Sequence, residues 1–302
     1  MSSSKSIKTW IGPSLVALAA FLWATDALIR YPSIHRLDPT FIVWFEHVLA
    51  VILLLPWVFI KNREELFSLS LKTWLAAIFS GVGGSAIATV FFTASFIYVN
   101  PSVSVLLQKL QPVMVVLIAY PILGERPEKK FYFWGLIALV AGIILSFPDL
   151  NFKFLSSGVS LHSKGIQYAF GAALLWAAST VSGKALLKET SPALATFWRF
   201  FFGLIALSAI IAVGGGLPDL QTLQSSETLF VLFYLSLIPG IFAMLIYYKG
   251  LSQTPASIST FIELVYPIGA VILNTFFLHT PLNPVQILAG IILTLAVAIL
   301  SF

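Results

Sequence analysis

Apolar residues in this chain run in long blocks rather than alternating, and short polar breaks separate the blocks. Ten blocks approach the ~20 residues that a helix needs to cross a bilayer. They are Ile11–Ile29, Phe41–Ile60, Trp74–Val99, Val103–Leu123, Phe131–Phe147, Ile166–Leu186, Ala193–Val213, Leu229–Tyr248, Ile258–Leu278 and Pro284–Phe302. In lipid every backbone polar group must be satisfied within the structure, so blocks of this length predict helices. The expected fold is an all-α membrane protein of ten transmembrane helices. The longest connection runs from Asp149 to Lys164, too short for an extramembrane domain. Residues 1–10 read as a polar tail. No small-residue cleavage site follows the first block, which is therefore expected to span the membrane rather than act as a signal peptide.

Composition agrees. The chain is 59% apolar and 10% charged, against roughly 25% charged residues in soluble domains. Cysteine is absent, which excludes disulfides, thiol catalysis and thiolate metal sites. The net charge of +5 is explained by its placement. With the N-terminus inside, the inner loops hold Lys5, Lys8, Lys61, Arg63, Lys72, Arg126, Lys129, Lys130, Lys184, Lys188 and Lys249. The outer loops hold Arg30, Arg36, Lys153 and Lys164. By the positive-inside rule both termini are expected in the cytoplasm, as in a bacterial inner-membrane protein. The basic balance reports topology, not a nucleic-acid partner.

A repeat is visible. Leu22-Trp23-Ala24 recurs as Leu175-Trp176-Ala177 at an offset of 153. Asn100-Pro101 answers to Thr254-Pro255 at 154, and Gln111-Pro112 to Tyr266-Pro267 at 155. Leu145-Ser146-Phe147 matches Leu300-Ser301-Phe302, again at 155. Residues 11–150 and 165–302 are thus expected to be two five-helix repeats joined by a linker at 151–164. An odd number of spans per repeat inverts the second relative to the first, and inverted repeats place substrate near the midplane at their interface.

The LWA motif in the first helix of each half, the proline-bearing fourth helix and the Leu-Gly-Glu-Arg run at 123–126 resemble the EamA branch of the drug/metabolite transporter superfamily. The resemblance covers essentially the full length. It implies export of amino acids or other small metabolites, and a central cavity among the first, third, fourth, sixth, eighth and ninth helices. The second half departs from the pattern, carrying His279-Thr280 where the family often repeats the Gly-Glu turn.

Charges inside apolar blocks are costly unless paired or facing water or a ligand, so they mark candidate sites. Lys109 and Glu263 each lie eight residues past a proline and about one turn before another, ~12 Å into a helix and close to mid-bilayer. One cation and one anion suit a zwitterion, and without substrate the two are expected to pair with each other. Gln108 and Gln111 flank the lysine; Tyr266 and Asn274 fall on the stripe of Glu263. Trp23, Trp176, Tyr98, Tyr247 and Tyr248 are candidate cavity walls, because amphipathic rings stack on a ligand and still donate. Glu46 and Arg199 stand 153 residues apart at matching depth. Glu46 beside His47 reads as a proton-relay or structural dyad, and Arg199 as a gating or structural group. Asp26 and Arg30, one turn apart near the end of the first helix, read as an i, i+4 pair at the interface, with a substrate, proton-coupling or gating role for Asp26 as the alternative. Gly81, Gly83, Gly84, Ser85 and Ala88 make a small-residue face.

No nucleotide loop, hydrolase or metal motif occurs, and the histidines at 35, 47, 162 and 279 are scattered. No catalytic residue, cofactor or metal site is expected. The sequence therefore predicts a secondary transporter of an amino acid or amino-acid-derived metabolite, working by alternating access. Its partners are a small-molecule substrate, the lipid bilayer, and protons or a counter-substrate. Transport of organic anions, nucleotide-like compounds or cationic drugs is the first alternative. An integral membrane enzyme is the remote one.

Overall fold

A computed structural model describes residues 3–123, 129–150, 160–214, 217–218, 220–251, 253–254 and 262–300. Among these residues every regular element is helical: α1 (Ser3–Ala24), α2 (Asp26–Ser33), α3 (Pro39–Lys61), α4 (Leu71–Phe79), α5 (Ala88–Ser95), α6 (Pro101–Leu107), α7 (Gln111–Leu123), α8 (Lys129–Ser146), α9 (Leu161–Leu186), α10 (Pro192–Gly214), α11 (Leu220–Gln224), α12 (Ser226–Leu235), α13 (Ala243–Leu251), α14 (Val265–Phe277) and α15 (Pro284–Leu300). Seven helical runs are long and apolar enough to cross a membrane: Trp10–Ser33, Pro39–Lys61, Leu71–Ser95, Pro101–Ile118, Lys129–Ser146, Pro192–Gly214 and Ser226–Gly250. Val265–Phe277 and Pro284–Leu300 are apolar but shorter. The run at 124–126, most of the linker and residues 258–261 of the ninth block lie outside the described residues.

Several apolar blocks are interrupted, and in the third, fourth and eighth a proline or glycine lies at or beside the break. The first breaks at Thr25 between α1 and α2. The third and eighth each carry a π-helical insertion, Ser80–Ile87 between α4 and α5 and Ser236–Phe242 between α12 and α13. One is rich in glycine; the other holds Pro239, which has no N–H to give the ladder. The insertions stand about one repeat length apart. π-turns of this kind concentrate at functional sites because they release carbonyls from the helix.

The fourth block tightens into a 3₁₀ turn at Gln108–Leu110. Pro112 cannot donate to the Gln108 carbonyl, which takes the Gln111 N–H three residues on instead. Pro267 has the same effect, and Tyr266 N donates to Glu263 O at 3.1 Å. This local geometry corrects the expected equivalence. Glu263 answers to Gln108, not to Lys109, because each accepts the i→i−3 bond four residues before its proline.

Packing separates a scaffold from the site. Helix α15 lies along α8, and with α6, α7 and α9 they bury Leu106, Leu110, Leu145, Ala169 and Leu293 in one apolar cluster. A Cβ added at Gly290 would lie 2.9 Å from Leu106 Cδ1, so a larger residue there would have to displace the leucine end. None of the cavity residues described next comes from α8 or α15.

Candidate functional site

A cavity of about 240 Å³ opens in the middle of the bundle. Its walls come from α1 and α2, the π-turns, α5, the 3₁₀ turn, α7, α9, α13 and α14, with further residues from α3 and α10. The second and seventh apolar blocks thus join the six that the family resemblance implied, contributing Glu46, His47, Arg199 and Phe200.

At one end lies a buried charge cluster. Arg30 grips Asp26 with two parallel bonds, Nε to Oδ1 and Nη2 to Oδ2, both 2.6 Å. Its Nη1 meets Glu46 Oε1 at 2.8 Å and Thr93 Oγ1 at 3.1 Å. Arg30, Glu46 and Asp26 are only 2, 5 and 8% exposed. Four sequence expectations change here. Arg30 is not an outer-loop charge but sits inside the bundle. The Asp26–Arg30 pair forms, yet it is buried and shared with Glu46. The Glu46–His47 dyad does not form, because both imidazole nitrogens are taken: His47 Nδ1 donates to Val43 O at 2.7 Å and Nε2 meets Ser85 Oγ at 2.9 Å. Nor does Glu46 pair with Arg199, whose guanidinium bonds Ser179 Oγ (3.0 Å), Ser80 Oγ (3.3 Å) and Gly84 O (3.0 Å).

The π-turns explain two of these contacts. Gly84 O is held by Arg199, and Pro239 O accepts from Trp23 Nε1 at 3.0 Å. Two carbonyls of the π-turns thus serve as anchors for cavity side chains.

Lys109 and Glu263 both line the cavity. Among the described residues the ion pairs within 4.0 Å are Arg30–Asp26, Arg30–Glu46 and the exposed Arg36–Glu227. Lys109 and Glu263 are therefore not in direct contact, contrary to expectation. Lys109 Nζ lies 5.3 Å from the Tyr266 ring centroid, a cation–π distance. Glu263 Oε1 accepts the Tyr247 hydroxyl at 2.8 Å. Gln111 Nε2 donates to Thr180 Oγ1 at 3.0 Å, whereas the buried Gln108 Nε2 has no acceptor.

Aromatic rings close the walls. Trp23 packs on Tyr247 with centroids 5.0 Å apart, and Trp176 on Phe92 at 5.4 Å. Tyr248 and Phe200 complete the surface. Two predicted site residues lie elsewhere. Tyr98 sits beneath Lys164 Nζ, 5.0 Å from its centroid, beside Tyr168. Asn274 is buried and donates to Ser102 Oγ at 3.2 Å, tying α14 to α6. Helical spacing put Asn274 near the site and ring chemistry put Tyr98 there, but neither lines the cavity.

Sequence reasoning missed Ser85, Thr180, Phe92 and Ser179 as cavity residues. Ser179 was accessible by one signal: it stands 153 residues after Asp26, the offset that joins Trp23 to Trp176.

Two copies of one family profile cover the chain, that of the EamA-like transporter family, at residues 10–147 and 163–302. The chain belongs to this family. Among similar proteins, this EamA-like chain is 30% identical over 300 residues to the riboflavin transporter ImpX of Fusobacterium nucleatum, covering 96% of this chain and 97% of that one. It is 25% identical to the uncharacterized transporter YwfM of Bacillus subtilis, covering 95% and 92%. An uncharacterized transporter of Archaeoglobus fulgidus is 26% identical, covering 93% and 96%. A solved crystal structure with 18% identity matches with a TM-score of 0.64 over 97% of this chain and 96% of that one, which extends the likeness in fold. The protein is therefore an integral membrane transporter of the EamA type.

Proposed function

We propose that this protein is a secondary transporter that carries a small metabolite with a planar heteroaromatic ring through the central cavity, with riboflavin the first candidate. One observation carries this: an aromatic-walled cavity holds Lys109 and Glu263 with no ion pair within 4.0 Å and Gln108 Nε2 without an acceptor. Buried polar groups are normally satisfied, so groups left open on a cavity wall are matched by a ligand. Trp23, Phe92, Trp176, Tyr247 and Tyr266 offer ring faces for stacking. Gln108, Lys109 and Glu263 offer donors and an acceptor to the polar edge of such a ring. The full-length relative named as a riboflavin transporter points the same way.

A second reading is a zwitterionic amino acid or derivative, favoured by one cation and one anion on the same wall. Carboxylate would meet Lys109 and ammonium Glu263.

The transport cycle is alternating access by ten spans in two inverted repeats, with both termini cytoplasmic. The two family matches, the paired π-turns and the paired proline-induced breaks support the repeat. Asp26 and Glu46, joined through Arg30, are the candidates for proton coupling, while His47 holds the wall.

Purified protein in detergent tests both substrates. Riboflavin should raise the melting temperature and lose fluorescence on binding, and Lys109→Gln, Glu263→Gln and Gln108→Ala should each weaken it. Stabilisation by amino acids instead, lost in both charge variants, selects the second reading. No response to either class defeats both.

A further inference from the structure

Arg199 is anchored but not neutralised. Its partners Ser179 Oγ, Ser80 Oγ and Gly84 O carry no formal charge. Among the described residues no carboxylate oxygen lies within 4.0 Å of it, whereas Arg30 has two carboxylates to itself. The Nε of Arg199 is buried and has no acceptor. Of the other acids on the same cavity, Asp26 and Glu46 are taken up by Arg30, and Glu263 lies more than 4.0 Å from Arg199. A full charge held in a low-dielectric wall is costly unless something opposite in sign completes the site. The group is also fixed in place rather than free to snorkel. A Cβ at Gly84 would fall 2.0 Å from Ser179 Oγ and 3.7 Å from Arg199 Nη1, so the bare backbone there lets the carbonyl and hydroxyl hold the guanidinium.

We propose that Arg199, supported by Ser179 and Ser80, is an oxyanion subsite of the cavity and takes a carboxylate or phosphate carried by the substrate. This rests on the cavity being the substrate site and replaces neutral riboflavin, as the preferred substrate, by an acid such as its 5′-phosphate or an aromatic amino acid. Guanidinium suits either group, since its planar fork matches two oxygens at once.

The experiment compares ligand pairs that differ only in the acid: riboflavin with riboflavin 5′-phosphate, and tryptophan with tryptophan amide. Dissociation constants are measured on the full chain in detergent for the unmodified protein, Arg199→Gln and Arg199→Lys. The acid member of at least one pair should bind about tenfold tighter or more, as hydrogen bonds to charged groups are worth ~1.5–3 kcal/mol. That ratio should collapse towards one in Arg199→Gln and survive in part in Arg199→Lys. Which pair shows it separates phosphate from carboxylate. Ratios at or below one in both pairs, or a ratio that persists in Arg199→Gln, would overturn the proposal.

If no pair member binds, the substrate reading of the cavity fails separately. The subsite is then judged by titrating inorganic phosphate and acetate at constant ionic strength. A melting shift absent from Arg199→Gln sustains it, and an equal or absent shift in both proteins removes it. Should Arg199→Gln not fold, the ratios of the unmodified protein and of Arg199→Lys decide.

Discussion

Replacing Arg30 by Gln tests whether the buried cluster holds the first half of the bundle together. The change removes two 2.6 Å bonds to Asp26, the 2.8 Å contact to Glu46 and the 3.1 Å bond to Thr93. It leaves two carboxylates, 8 and 5% exposed, facing each other without a cation. Breaking a buried ion pair by removing one partner costs about 3–5 kcal/mol, because the orphaned charge remains. For a chain of this size that is a fall in melting temperature of roughly 6–10 °C. Fluorescence-detected melting in detergent reads it directly. The second arm is diagnostic. In the Arg30→Gln background, Glu46→Gln removes an orphaned charge and should recover part of the loss, whereas in the unmodified protein Glu46→Gln should destabilise. A loss under about 1 kcal/mol for Arg30→Gln, or a double variant worse than the single, would refute the reasoning.

Other outcomes follow from single contacts. Gly84→Ala forces Ser179 to move from a 2.0 Å overlap and should lower both stability and ligand affinity, while Gly83→Ala, whose nearest neighbour would lie at 3.5 Å, should be tolerated; melting curves of the two compare them. Tyr247→Phe removes the donor to Glu263 and should weaken ligand binding by ~1–3 kcal/mol, read by titration. Glu189, in the turn after α9, accepts the Ser70 N–H at 3.1 Å, and chiefly this bond, with the Thr73 hydroxyl next, holds its carboxyl below the usual range. Its contribution is therefore present above the unfolded carboxylate pKa and is lost as pH falls through the lower folded value. Amide exchange at residues 70–73 should accelerate between pH 5 and pH 3 relative to Glu189→Gln, for ~pH 4.3 is the unperturbed midpoint.

Most of the helical layout was legible because block length alone marks a helix in lipid, and apolar blocks need no partner to be recognised. Lys109, Glu263, Trp23 and Trp176 were legible for a related reason: a polar or amphipathic group in an apolar block stands out. Partner choice was not legible. Whether Glu46 takes His47, Arg199 or Arg30 depends on how three helices rotate about their axes, and no spacing along one chain encodes that. The i, i+4 spacing gave the Asp26–Arg30 contact but not its depth, since hydropathy placed it at an interface and the fold enclosed it. Tyr98 and Asn274 show the converse error. Each lies at a plausible depth, and a turn of helix is enough to aim a side chain at α6 or at Lys164 instead of the cavity. The helix interruptions were half visible: Pro112 and Pro267 announced a break, but the 3₁₀ pairing that matches Glu263 with Gln108 appears only with backbone geometry.

The central claim is that substrate passes through this cavity and is held by Lys109 and Glu263, which make no direct ion pair with each other. The most direct measurement is uptake of radiolabelled riboflavin into proteoliposomes containing the unmodified protein, Lys109→Gln or Glu263→Gln, with tryptophan run in parallel. The account predicts saturable uptake of one compound by the unmodified protein and loss of about tenfold or more in each variant, the equivalent of ~1.4 kcal/mol or greater. Saturable uptake that is undiminished in both variants would contradict it and move the transport path away from Lys109 and Glu263.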